Sequence, residues 1–147
     1  MDSFRTRPET DFIHKADWEG LFILSRHLKR DVEFYVEDLN FLNRLINKYA
    51  IWVNEDENLQ EVKLVQFDLH KLIKKGGSLV ERLQGHMHKL TDTMMKKGTT
   101  DPDDLRKRHE SMEKEISQFV NNFRRIKKEV FRISEKVIGA EKLSDKL

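Results

Sequence analysis

The histidines are the side chains of this chain best suited to bind a metal ion, because the sequence contains no cysteine. Three of them, His27, His86 and His109, lie on or beside an apolar repeat whose side chains would face the interior of a helical bundle. Imidazoles that converge from facing helices can bind a metal ion, so these three histidines form a candidate metal site. Their spacing matches neither a Glu-x-x-His pair on two helices nor a His-Glu-x-x-His motif.

The same histidines have a structural interpretation, and the sequence favours it. His86 and His109 interrupt the apolar repeat itself, whereas His27 stands next to it. Polar residues at interior positions fix the register of packed helices when neighbouring groups satisfy their hydrogen bonds. We therefore expect His86 and His109 to be polar core residues, with Ser25, Glu113 or water as hydrogen-bond partners.

Basic side chains form a local concentration of one charge sign, which we call the basic belt. Counted from the predicted turns, its members lie at similar heights on three helices: Arg44, Lys48, Lys71, Lys74, Lys75, Arg124, Arg125, Lys127 and Lys128. Such a cluster could bind the phosphates of a nucleic acid or another anion. It lacks interleaved aromatic residues, and Glu33, Glu37 and Asp38 could neutralise it, so a solvated face is the favoured interpretation. Nucleic-acid binding is not expected.

Apolar side chains beyond those of the repeat predict a second apolar surface. They are Phe34, Phe41, Leu45 and Trp52 on the first helix, Leu64 and Phe67 on the second, and Phe131 on the third. Exposed aromatic residues in such numbers are typical of a contact surface. The sequence thus predicts a homodimer in which the first helices pair about a two-fold axis. In the alternative interpretation, a wide face of the first helix wraps a curved core.

The sequence contains no recognisable motif of an enzyme. It has no glycine-rich phosphate loop, no nucleophile elbow, and no serine or threonine paired with a histidine by local pattern. An open cleft is also difficult to build in a bundle of this size. We therefore predict a non-enzymatic protein without a cofactor.

Three segments with apolar steps of four and three residues must position all these side chains. They predict helices over residues 17–54, 57–97 and 102–138, with Asp17 as the first N-cap, Thr100 or Asp101 as the third, and Gly98 near the end of the second helix. Similar lengths and short connections predict an all-α, elongated antiparallel three-helix bundle with up-down-up topology and coiled-coil-like packing. Three long helices with an early tryptophan, Trp18, are similar in architecture to a spectrin-type repeat.

Glycines decide where the predicted helices bend or end. The Gly76-Gly77 pair could break the second helix, but the apolar repeat continues through it without a slip, so one helix is favoured. Two interior glycines cost roughly 2 kcal/mol, which tertiary packing can offset. Gly139 is expected to end the third helix. The domain then comprises residues 17–139, between an N-terminal arm at 1–16 and a flexible tail at 140–147.

Composition limits the remaining function classes. Charged and hydrophobic residues each make up 37% of the 147 residues, with only six glycines and two prolines, as is typical of long solvated helices. The net charge of +2 gives no large field toward nucleic acid or membrane. Without cysteines, a signal peptide or a membrane-length apolar run, a cytoplasmic protein is expected. The predicted function is a self-associating scaffold or adaptor; the alternative is a bundle that binds a metal ion or a phosphate-type anion.

Overall fold

The computed structural model of the chain describes residues 17–53, 56–97 and 100–146. It contains three α-helices, which we label α1 (Trp18–Ala50), α2 (Asp56–Met94) and α3 (Pro102–Lys146). Each helix packs against both of the others. The antiparallel three-helix bundle predicted from the sequence is confirmed. The predicted arm at residues 1–16 lies outside the described residues.

Asp17 begins α1, as the sequence predicts, and Asp101, one of the two predicted caps, begins α3. Oδ1 of Asp17 accepts a hydrogen bond of 2.7 Å from the backbone N–H of Gly20. Oδ1 of Asp101 accepts one of 2.9 Å from the N–H of Asp103, and Pro102 takes the first helical position, where its missing N–H costs nothing. These caps satisfy donors that have no partner inside the helix.

The ends of the helices differ from the predicted positions. α1 ends at Ala50 rather than near residue 54, because the N–H of Trp52 donates to the Tyr49 carbonyl at 3.0 Å and tightens the last turn. α2 ends at Met94, where the N–H groups of Lys96 and Lys97 donate to the carbonyls of Thr93 and Asp92. Lys96, with φ of 59°, takes the left-handed position of this Schellman cap. Gly98, the expected end, lies outside the described residues.

The third helix continues past Gly139 to Lys146, so its end is not where the sequence predicts it. A glycine ends a helix when it adopts a positive φ, and the described part of the chain contains no glycine with that conformation. Without that conformation, Gly139 costs about 1 kcal/mol of helix propensity and does not break the helix.

Gly76 and Gly77 lie inside an unbroken α2 but in different surroundings. A Cβ atom added at Gly76 would lie 2.5 Å from Cγ2 of Val36 and 3.1 Å from the ring of Phe119. Val36 belongs to α1 and Phe119 to α3, so Gly76 lets three helices approach closely at this height. At Gly77 an added Cβ would meet no atom within 4 Å.

The buried apolar side chains form two clusters. The larger contains residues of all three helices, from Leu28 on α1 to Val137 on α3. The smaller contains Leu21, Leu90 and Leu105, with Trp18 and Phe22 packed against it. Among the described residues, no helix has a stretch apolar and long enough to cross a lipid bilayer.

Candidate functional site

An open groove of about 700 Å³ runs between α1 and α3. Its lining combines aromatic, acidic and basic side chains: Phe34, Glu37, Asp38, Asn40, Phe41, Arg44 and Lys127. The Nζ atom of Lys127 lies 3.3 Å from Oδ2 of Asp38, so an ion pair joins the two helices here. We call this feature the α1–α3 groove.

Two aromatic side chains of the α1–α3 groove are exposed. Phe34 is 59% exposed and Phe41 is 48% exposed. The ring of Phe34 rests edge-on against buried Tyr35, with centroids 5.9 Å apart, which restricts its motion. Phe131 is also exposed and follows Lys127 by one helical turn, so it lies on the side of α3 that faces α1.

Four of the seven predicted interface residues are thus on the α1–α3 side of the bundle. The fourth, Leu45, is half-buried and packs against the main core. The aromatic pattern alone does not identify Glu37 and Asn40, which line the same groove. Their signal is the helical spacing, because residues 34, 37, 41 and 44 recur at steps of three and four, and so do residues 37, 40 and 44.

The other three predicted interface residues lie elsewhere. Leu64 and Phe67 are exposed on α2, and the ring of Phe67 lies 5.4 Å from Nζ of Lys71. On α2, Gln66 faces α1 through a 2.7 Å hydrogen bond to Asn47, and Lys75 faces α3 through its contact with Glu115. Helical spacing therefore points Phe67 outward, away from both neighbouring helices.

Trp52 lies neither in the α1–α3 groove nor on the outer side of α2. It lies in the turn that follows α1 and is half exposed. The surface predicted as one patch is therefore divided into the α1–α3 groove, the outer side of α2 and the first turn.

The basic belt is divided as well. Four of its residues, Lys71, Lys74, Lys75 and Arg125, line a groove of about 450 Å³ between α2 and α3, together with Asp68, Leu72, Asn122 and Ile126. Arg44 and Lys127 line the α1–α3 groove instead. Lys48 lies beside the Tyr49 ring, 6.0 Å from its centroid, while Arg124 is half-buried and Lys128 exposed on α3.

Ion pairs reduce the charge available for an anion in the groove between α2 and α3. Nζ of Lys75 lies 2.9 Å from Oε1 of Glu115, and Arg82 donates to both oxygens of the same carboxylate. These hydrogen bonds, from Arg82 first and then Lys75, lower the pKa of Glu115 to about 2. Because the carboxylate stays ionised, Lys75 is held by Glu115, and Asp68 adds a negative charge to the groove lining.

A buried layer of four polar residues, which we call the polar layer, crosses the bundle. Ser25, His86, His109 and Glu113 are each at most 2% exposed. Nε2 of His86 lies 3.0 Å from Nδ1 of His109, so one ring donates a proton and the other accepts it. The Ser25 hydroxyl donates to the Leu21 carbonyl at 2.8 Å and lies 3.4 Å from Nδ1 of His109.

The environment of the polar layer keeps His86 neutral. Burial lowers the pKa of His86 to about 3, with smaller electrostatic contributions from its neighbours His109, Arg108 and Lys89. Nε2 of His109 lies 3.6 Å from Oε2 of Glu113, one turn further along α3. At neutral pH an uncharged His86 thus meets His109 inside the core.

The order Ser25, His109, Glu113 resembles that of a catalytic relay, which local sequence patterns did not indicate because 84 residues separate the serine and histidine. Ser25 is 0% exposed, so no substrate reaches its hydroxyl in this packing. His27 is half-buried on α1. Across the ranges that the structure describes, no group of three or more histidine, aspartate or glutamate side chains is placed to hold a metal ion. The geometry therefore makes the polar layer part of the core.

The architecture defines this chain as an all-α three-helix bundle with a polar layer inside and an aromatic groove outside. Comparison with protein-family models, with curated proteins and with solved structures finds no match.

Proposed function

We propose that this protein is a non-enzymatic scaffold that self-associates through the α1–α3 groove. The observation that carries the proposal is that two exposed phenylalanines, Phe34 at 59% and Phe41 at 48%, line the same groove between two helices. Aromatic residues are enriched at the centres of protein interfaces. Burial of one phenylalanine side chain contributes roughly 2 kcal/mol, so an exposed pair is a substantial source of binding free energy.

The groove also has the features that let a bundle bind without a large ordering cost. Phe34 is held against Tyr35, and the Asp38–Lys127 ion pair fixes α1 relative to α3. A surface formed by rigid helices loses little conformational entropy when it is covered. The proposal includes a cytoplasmic location, supported by the absence of cysteine from the sequence.

The experiment compares two phenylalanines of equal exposure on different faces. Phe34 and Phe67 are both 59% exposed, but only Phe34 lines the α1–α3 groove. In sedimentation velocity at micromolar concentration, we expect the natural protein to be a dimer and Phe34→Gln to weaken dimerisation by at least about tenfold. Phe67→Gln, the matched control, should leave the dimer unchanged.

Thermal melts of both variants should retain the cooperative transition of the natural protein, because each side chain is mostly exposed. A monomeric natural protein would contradict the proposal. So would a dimer that Phe67→Gln dissociates and Phe34→Gln does not.

A further inference from the structure

We propose that the dimer forms by antiparallel pairing of α1 with α1 of a second copy, about a two-fold axis between Asn40 and Phe41. This inference rests on the proposed function and specifies its geometry. The evidence is the order of charges along the outer face of α1.

Between residues 33 and 48, acidic residues precede Phe41 on this face and basic residues follow it. Glu33 and Glu37 come first, Arg44 and Lys48 come after, and all four side chains are exposed. Their spacing of four, seven and four residues keeps them on one face, since eleven residues complete about three helical turns. Phe41 therefore lies near the centre of a stretch, residues 33–48, that follows exposed Arg30 and is negative at one end and positive at the other.

The charges of opposite sign also lie at symmetric positions along the helix. Glu37 and Arg44 are equally distant from the midpoint between Asn40 and Phe41, and so are Glu33 and Lys48. In an antiparallel pair, Glu37 of one copy therefore meets Arg44 of the other, and Glu33 meets Lys48. A parallel pair in register would oppose glutamate to glutamate and lysine to lysine, which is unfavourable.

The apolar groups fit the same arrangement. Phe41 lies next to the axis, so the two Phe41 rings approach each other across it. Phe34 lies seven residues, or about two helical turns, before Phe41 on the same side of α1, so a pairing that covers Phe41 extends over Phe34 as well. The paired stretch from residue 33 to residue 48 is about 22 Å long at 1.5 Å per residue.

The aromatic and charged groups have different roles in this dimer. Exposed ion pairs add little affinity, and Glu33 already has an intrahelical partner in Lys29 at 3.5 Å. The ion pairs between the two copies instead set the direction in which the helices pair, because only the antiparallel direction brings opposite charges together. Affinity comes from burial of Phe34 and Phe41.

Single-cysteine cross-linking tests the geometry directly, because the chain has no cysteine of its own. Under mild oxidation, Asn40→Cys should form a disulfide-linked dimer, since residue 40 lies beside the axis. Glu33→Cys alone should stay uncross-linked, because its counterpart lies at the far end of the paired stretch. A mixture of Glu33→Cys and Lys48→Cys should give the mixed dimer.

Sedimentation of each reduced variant separates failure of the geometry from failure of the proposed function. If the reduced variants are dimers, two results would overturn the antiparallel pairing and leave self-association intact. One is a disulfide between two copies of Glu33→Cys, and the other is the absence of a disulfide in Asn40→Cys. Reduced proteins that are all monomeric, the natural chain included, would overturn both.

A charge-swap pair gives an independent measurement. Glu37→Arg should weaken the dimer, because it places a second guanidinium opposite Arg44 of the other copy, and the double variant Glu37→Arg/Arg44→Glu should restore the affinity. Equal weakening in the single and the double variant would contradict the proposed pairing.

Discussion

The burial of His86, beside His109, ties the stability of the bundle to protonation. The two rings lie 3.0 Å apart in the polar layer, and a proton added to His86 would be a buried charge close to His109. Arg108 and Lys89 also disfavour that charge, and the only carboxylate of the layer, Glu113, lies on α3 beside His109. The folded state therefore resists protonation of His86.

The free energy of unfolding should fall as the pH is lowered from about 6.5 to about 3. Burial lowers the pKa of His86 from 6.5 to about 3 in the folded state, so in this window the unfolded chain binds the proton and the folded chain does not. The contribution of His86 to the free energy of unfolding is complete above pH ~6.5. Below that pH it decreases by at most about 1.4 kcal/mol per pH unit. At pH ~5 the loss is therefore about 2 kcal/mol.

Urea denaturation at several pH values measures this loss, and a histidine substitution assigns it. Other groups titrate in the same window, so the informative quantity is the difference in slope between the natural protein and His86→Leu. His70→Leu, at an exposed position on α2, is the control and should keep the natural slope. An identical slope in the natural protein and His86→Leu would show that His86 does not cause the dependence.

The sequence predicts which polar residues are buried better than it predicts which of them touch. The apolar repeat places Ser25, His86 and His109 in the interior, and the structure buries all three. Glu113 follows His109 by four residues, so their proximity is also readable from the sequence. The direct contact between His86 and His109 depends on how far α2 and α3 are rotated and shifted against each other. Packing of the whole core sets those quantities.

At the scale of the helix, α2 tolerates two adjacent glycines for different reasons. Gly76 fits between Val36 and Phe119, where a methyl group has no space. Gly77 faces outward, so its hydrogen side chain has no packing role and only lowers helix propensity.

Alanine substitutions should therefore have opposite effects at these neighbouring positions. Gly77→Ala should raise the free energy of unfolding by about 1 kcal/mol, the gain in helix propensity. Gly76→Ala should lower it by roughly 1–3 kcal/mol, because the added Cβ displaces Val36 or the Phe119 ring.

Chemical denaturation of the two variants and the natural protein gives both values. Gly85→Ala, at a third position of α2 where an added Cβ meets no atom within 4 Å, is the control and should behave like Gly77→Ala. Destabilisation by Gly77→Ala would be inconsistent with a continuous helix through the pair.

Helix starts are more predictable from this sequence than helix ends. Asp17 and Asp101 act through their own side chains on nearby N–H groups, so their effect is local. The end of α2 instead depends on Lys96, a residue type that seldom adopts a left-handed conformation, at a φ of 59°. The residue preference of lysine therefore does not reveal the end of α2.

At the scale of the whole molecule, the three-helix architecture follows from the sequence but the division of its surface does not. Counting residues from the turns gives the height of a side chain along the bundle, and it places Phe41 and Phe67 near each other. The direction around the helix axis decides which groove a side chain enters. The ion pair of Asp38 with Lys127 and the hydrogen bond of Gln66 with Asn47 show those directions only in the folded bundle.

The polar layer separates the two apolar clusters on every helix. Ser25 stands between Leu21 and the main core on α1, and His86 and His109 take the corresponding positions on α2 and α3. Each helix therefore crosses from a large apolar cluster to a small one through a layer that contributes little hydrophobic free energy.

Local unfolding of the bundle should consequently begin at the end that contains the small apolar cluster. The small cluster of Leu21, Leu90 and Leu105 can separate as a cooperative unit while the main core stays closed, since few apolar contacts hold it. In native-state hydrogen exchange, amide protons around these three residues should exchange through such partial opening, well before those around Leu39 and Leu69. Uniform protection along α1 would instead mean that the polar layer transmits cooperativity from end to end.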